Sequence, residues 1–341
     1  MQFVKLGNTG ITVHKNGFGA LPIQRISSSE ASQLLRKAYA NGINFFDTAR
    51  FYTDSEQKIG AALSDVRPQI IIASKTMATN PEDFWEQLNC SLDCLRTDYI
   101  DIYQFHNPSF CPRPGDGSGL YEAMTEAKGR GLISHIGISS HKLPVAKEAV
   151  ESGLYATLQF PFSYLATDQE KELVSMCQAK NIGFIAMKAL SGGLITNSAA
   201  AYAFLAQYPG VLPIWGIQQD AELEEFIAHA KYPPVLDADI RGIIEQDRKV
   251  LSGGFCRGCG YCLPCPVEID IPNCARMSLL LRRAPTSVYL NDEWQEKMSR
   301  IPDCTECDHC LDNCPYRLDT PQLLKDNWAD YQSFIKPVSS N

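Results

Sequence analysis

The chain has 341 residues, 45% hydrophobic and 21% charged, with 31 Lys and Arg against 39 Asp and Glu for a formal net charge of −8. That is the composition of a globular chain long enough to bury a core, and no apolar run is long enough to span a bilayer, so membrane insertion is not expected. The acidic balance and the lack of a Lys/Arg cluster argue against a nucleic-acid partner, whose phosphates demand a basic face; the chain reads as cytoplasmic, and solubility is the simplest use of its charge.

At the start, Phe3 to Leu6 and Ile11 to Val13 flank a Gly-Asn-Thr-Gly turn and read as a hairpin. Eight short β-branched or aromatic runs follow: Gly17 to Leu21, Phe45 to Ala49, Ile70 to Lys75, Ile100 to His106, His135 to Ser139, Thr157 to Phe162, Gly183 to Ala189 and Val211 to Ile217. Helical patterns lie between them, as in Ser29 to Ala40, Pro81 to Leu95, Tyr121 to Gly129, Asp168 to Ala179 and Ala221 to Ala230. Eight βα repeats in about 240 residues predict an α/β chain folded as a closed (β/α)8 TIM barrel rather than an open sheet, with the hairpin closing its floor. The barrel is expected over residues 1–250, with a division near Ser252-Gly253-Gly254. Residues 251–341 form a smaller, mainly helical domain, because Arg276 to Arg283 and Glu293 to Arg300 have helical character.

In such barrels chemistry sits at the carboxyl ends of the strands. The second barrel strand runs into Asp47 and then Tyr52, the third ends at Lys75 and the fourth at His106. Any one alone reads more simply as a cap, a solvated lysine or a satisfied histidine; together they form a proton-transfer set. Tyrosine, with a pKa of about 10, is a poor acid at neutral pH unless an ammonium such as that of Lys75 stabilises its phenolate. Asp47 would keep Lys75 charged and oriented, and His106 would donate a hydrogen bond to the substrate oxygen. Such a set suits interconversion of a carbonyl and an alcohol. Phe51, Asn107, Phe110, His141, Phe162 and Tyr164 are candidates for the wall of the substrate pocket.

Of thirteen cysteines, nine follow residue 255. Cys256, Cys259, Cys262 and Cys265 stand at three-residue spacing before Pro266, and Cys304, Cys307, Cys310 and Cys314 precede Pro315. Three thiolates so spaced can wrap a corner of an iron–sulfur cube, so two 4Fe-4S clusters are expected. Zinc, the competing reading, wants two CxxC pairs and would leave the third cysteine of each run without a role. A disulfide framework is not expected in a chain that can build its own core. The earlier Cys90, Cys94, Cys111 and Cys177 read as small, partly buried hydrophobes.

The runs resemble those of bacterial ferredoxins, in which the fourth cysteine of each run reaches the other cluster. That resemblance implies Cys256, Cys259, Cys262 and Cys314 on one cluster, and Cys304, Cys307, Cys310 and Cys265 on the other. The first run has two residues before its last cysteine where the ferredoxin run has three, which leaves the pairing open.

The whole chain resembles the aldo/keto reductases, in a branch with a fused ferredoxin-like tail. Leu6 to Gly10, Gly42 to Ala49, Asp98 to Asp101 and Gly137 to Ser140 match family stretches in order. The resemblance implies Tyr52 as general acid, with Asp47, Lys75 and His106 completing a tetrad, and NAD(P)H as coenzyme. It further implies Gln159 and Ser139 at the carboxamide, Ser140 where asparagine is common, and Met187 in place of an aromatic residue stacked on the nicotinamide. Lys188, Gly192 and Gly193 would meet the pyrophosphate, aided by the amino end of the helix after Gly216. The segment from Gly216 through Gln218 and Glu222 to Glu225 lacks the basic residues that bind a 2′-phosphate, and a carboxylate at Glu222 would repel one, which favours NADH. The expected substrate is a small carbonyl or hydroxyl compound. The tail's clusters would be structural or would pass electrons, with a redox partner protein as one outlet. The competing readings are an electron carrier docked on an inert barrel and an oxidoreductase driven by its clusters.

Overall fold

The structure, a computed structural model, describes residues 2–251, 254–283 and 286–335. Strands β1 (Phe3–Lys5) and β2 (Thr12–His14) form the antiparallel hairpin. The barrel strands are β3 (Gly17–Gly19), β4 (Phe45–Asp47), β5 (Ile71–Thr76), β6 (Ile100–His106), β7 (Ile133–Ser139), β8 (Thr157–Pro161), β9 (Gly183–Met187) and β10 (Val211–Gly216). All pair in parallel, and β10 closes on β3. The expected strands are all present, their ends shifted by at most two residues.

Helices α1 (Ser28–Ala40), α2 (Ser55–Leu63), α3 (Pro81–Leu95), α4 (Leu120–Gly129), α5 (Leu143–Ser152), α6 (Asp168–Ala179), α7 (Ser198–Ala206) and α8 (Asp220–Lys231) follow the eight strands in turn. Local chemistry sets their starts. Ser27 with Glu30, and Thr167 with Glu170, are capping boxes for α1 and α6; Asn80 caps α3, with Pro81 in its first turn.

Hairpin residues Val4, Leu6 and Val13 are packed into one buried cluster with Phe45, Ala73, Ile102, Ile185 and Leu212 of the barrel. The hairpin therefore plugs the amino end, leaving the opposite end for polar side chains. Gly7 is required at this plug: its φ is +52°, it bridges to Ile182, and a Cβ would lie 2.4 Å from the Asn181 carbonyl oxygen.

The chain divides into two compact units, one of residues 1–189 and 198–242, the other of residues 190–197 and 243–341. Helix α9 (Ala238–Val250) spans the change, upstream of the expected boundary at 250/251. Two residues of the Ser252-Gly253-Gly254 division, Ser252 and Gly253, lie outside the described residues. The second unit contains α10 (Ile271–Cys274), α11 (Met277–Arg283), α12 (Asp292–Ser299), α13 (His309–Asp312) and α14 (Thr320–Ile335), and is mainly helical, as expected. Helix α14 touches each of the other four. Its Asn327 accepts the Ser278 amide at 2.7 Å, its Tyr331 hydroxyl donates to the Tyr289 carbonyl at 2.7 Å, and its Asp330 pairs with Arg282. Among the described residues no helix is long and apolar enough to cross a membrane.

Candidate active site

The carboxyl ends of β4, β5, β6 and β8 bring the expected polar residues together. Lys75 is 1% exposed, and its Nζ donates to both Asp47 oxygens at 2.8 Å and to the Thr48 carbonyl at 2.6 Å. Burial pushes Asp47 up and Lys75 down toward their neutral forms, and each partner's charge opposes the other's shift. Gln159 donates to Asp47 at 3.3 Å and accepts from Gln104 at 2.8 Å. A chain of hydrogen bonds thus crosses the barrel interior from Gln104 through Gln159 and Asp47 to Lys75.

Tyr52 and His106 sit above this chain. The Tyr52 ring centroid is 5.3 Å from Lys75 Nζ and 5.7 Å, edge-on, from the His106 ring. Burial and the Lys75 charge push His106 down to about 3, so it is neutral at physiological pH and keeps one N–H to donate. Its Nδ1 is buried without a hydrogen-bond partner among the described residues.

The loop between β4 and α2 presents Tyr52, and its own backbone fixes it. Arg50 N donates to the Lys75 carbonyl at 3.0 Å, Tyr52 N to Ala49 at 3.0 Å and Ser55 N to Tyr52 at 2.8 Å. Sequence reasoning missed Glu56, which is 1% exposed and accepts from Ser74 Oγ and Arg50, both at 2.5 Å. The available signal was its spacing, six residues after Arg50 across the tyrosine.

Two of the six pocket candidates require correction. Phe162 and Tyr164 are fully buried, and Phe162 packs on Phe184, Phe204 and Tyr208 at 5.0 to 5.8 Å, so both are core residues. Phe51 and Phe110 are exposed, and Asn107 and His141 join each other, Asn107 Oδ1 accepting the His141 amide at 2.8 Å.

The coenzyme candidates divide between the units. Ser139 Oγ is buried between the Phe105 carbonyl and the Asn107 amide; Ser140 Oγ is bonded to the backbone of Lys142; Met187 packs at the edge of the barrel core. Gly216 is exposed at the end of β10. Glu222 turns back on its own helix and accepts the amides of Gln218 and Gln219 at 2.8 and 3.0 Å, completing a capping box on α8. Gln218 Oε1 is buried with no hydrogen-bond partner among the described residues, an acceptor left for an incoming donor. Glu225 lies one turn before His229 and acts on it electrostatically. Lys188, which closes the first unit's β9 end, has φ +53°. Gly192 and Gly193 belong to the second unit, where Arg276 NH1 donates to the Gly192 carbonyl at 2.7 Å.

In the second unit a solvent-open pocket is lined by Cys262, Cys265, Cys304, Cys307 and Cys310. Arg276, Cys259 and Cys314 all act electrostatically on Cys256. Among the described residues no three thiols, imidazoles or carboxylates converge on a point as a single ion needs. Thiols arranged around a cavity suit a multi-atom cluster.

The closed ring of eight parallel strands, with buried polar residues gathered at its carboxyl end, defines a (β/α)8 barrel. Residues 15–201 match the aldo/keto reductase family, and the chain belongs to it. Residues 255–319 match a 4Fe-4S dicluster domain. An uncharacterized oxidoreductase of Bacillus subtilis is 30% identical over 58% of this chain and 67% of its own length. An NADH-specific methylglyoxal reductase of Escherichia coli is 26% identical over 58% of this chain and 70% of its own. The barrel superposes on a holo aldo-keto reductase from Bacillus halodurans with a TM-score of 0.64 and 22% identity, covering 72% of this chain and 96% of that one.

Proposed function

We propose that the protein reduces a small carbonyl compound, and oxidises the corresponding alcohol, with Tyr52 as the general acid and base. The observation that carries this reading is the buried Asp47–Lys75 pair beneath the Tyr52 ring, with a neutral His106 at its edge. Bound NAD(P)H would supply a hydride to the carbonyl carbon. Tyr52 gives its proton to the carbonyl oxygen, and Lys75 stabilises the phenolate left behind. His106 donates a hydrogen bond to the same oxygen and orients it, while Asp47 holds Lys75 in place.

Gln159, Ser139, Ser140 and Met187 would hold the nicotinamide; Lys188 and Gly216 the pyrophosphate; Gln218, Glu222 and Glu225 the adenosine. The acidic start of α8 favours NADH, and a relative described as NADH-specific fits that preference. Two 4Fe-4S clusters would occupy the second unit, one on Cys265, Cys304, Cys307 and Cys310, the other on Cys256, Cys259, Cys262 and Cys314; the pocket that gathers Cys265, Cys304, Cys307 and Cys310, with Cys262 beside them, and the effect of Cys259 and Cys314 on Cys256 support these sets. Such clusters would supply one-electron transfer, to the barrel or to a partner protein.

The test is Tyr52→Phe, assayed anaerobically with NADH against a carbonyl panel. Turnover should fall by roughly 10² to 10⁴-fold while coenzyme affinity is kept. Near wild-type turnover would remove Tyr52 as the acid.

A further inference from the structure

We propose that Arg50 is a positioning residue, a buckle that holds the Tyr52 loop against the strand carrying Lys75. This rests on the reading of Tyr52 as the acid. The Arg50 guanidinium spans the tyrosine: NH2 donates to the carbonyl of Thr53, the residue just after Tyr52, at 3.2 Å, and NH1 donates to Glu56 at 2.5 Å and contacts Cys94 Sγ at 3.3 Å. Thr53 sits at φ +39°, a conformation that a threonine holds only when its surroundings impose it. The other Glu56 oxygen accepts from Ser74, the neighbour of Lys75 on β5, and the Arg50 amide donates to the Lys75 carbonyl. One arginine therefore closes a ring from two residues before Tyr52, across the residue after it, to the strand that carries Lys75. A planar fork with several fixed donors suits this task; a lysine can pair with Glu56 but cannot also reach the Thr53 carbonyl in the same geometry.

The experiment compares Arg50→Ala, Arg50→Lys and wild type by steady-state kinetics, coenzyme titration and hydrogen–deuterium exchange. Arg50→Ala should lower kcat by about a hundredfold, the cost of an ångström-scale misplacement, with coenzyme affinity unchanged. Exchange should rise in residues 48–56 and stay unchanged in β5. Arg50→Lys should recover part of kcat, and guanidinium chloride at millimolar concentration should rescue Arg50→Ala. A kcat within twofold of wild type would overturn the proposal, as would a loss that neither Arg50→Lys nor guanidinium repairs and that accompanies a lower Tm. If Tyr52→Phe retains turnover, the assignment of the acid fails instead; unchanged exchange at residues 48–56 in Arg50→Ala would then dispose of the buckle too, and increased exchange there would uphold it.

Discussion

Three acceptors surround the Lys75 ammonium, and each is fixed by the fold: two oxygens of Asp47 and the carbonyl of Thr48. Removing Asp47 would leave a buried cation short of its counter-ion, so Asp47→Asn should cost stability as well as turnover, on the order of 3–5 kcal/mol, measured by anaerobic thermal unfolding. His106 contributes in the opposite sense across pH. Its ordinary value is near 6.5 and burial drives it to about 3, so between these values the unfolded chain takes up a proton that the folded chain refuses. Its contribution is fully present above about pH 6.5 and is lost as pH falls toward 3. Between pH 7 and pH 5 the wild-type Tm should therefore drop further than that of His106→Gln, by about 2–4 °C for each kcal/mol involved, and parallel melts would show that His106 is not so shifted.

At the scale of the element, α8 carries two tasks on one carboxylate. Glu222 satisfies two amides at the helix start, and the same negative charge disfavours a 2′-phosphate in the proposed coenzyme site. The two tasks separate by mutation. Glu222→Gln keeps the acceptor and should raise the NADPH-to-NADH affinity ratio by about tenfold with Tm unchanged, whereas Glu222→Ala should also lose about 0.5–2 kcal/mol of stability. Tight NADPH and weak NADH binding by the wild type would reverse this assignment. The barrel strands were legible because β-branched runs recur between helical patterns, and Asp47, Lys75 and His106 because each lies at, or one residue short of, a strand's end. Helices α2 and α7 carried weaker signals: α7 is apolar on every side and α2 is buried nearly all round, so neither shows a single apolar stripe. Glu56 was illegible for a related reason, since an acidic residue in a helix's first turn ordinarily means only a solvated start. Phe162 and Tyr164 misled because aromatic residues just past a strand end serve a pocket or a core equally well, and only their neighbours decide.

For the whole molecule, the cysteine pattern makes a quantitative demand. Anaerobically purified protein should carry close to eight irons and eight sulfides per chain, and Cys265→Ser should remove about half of each while leaving the Tyr52-dependent reaction measurable. Stoichiometric zinc without labile sulfide would end the cluster assignment. The loop of residues 190–197 then acquires a significance beyond its chemistry. It leaves the barrel after β9, joins the second unit, where Arg276 grips Gly192, and returns to the barrel at α7. The two units are interleaved along the chain, so no single cut yields both intact. A gene truncated after residue 250 would encode a barrel with a loop stripped of its neighbours, open to proteases at Ser191–Asn197. The tail is hence not a detachable accessory, and grafting it onto a stand-alone barrel would require transplanting this eight-residue segment as well.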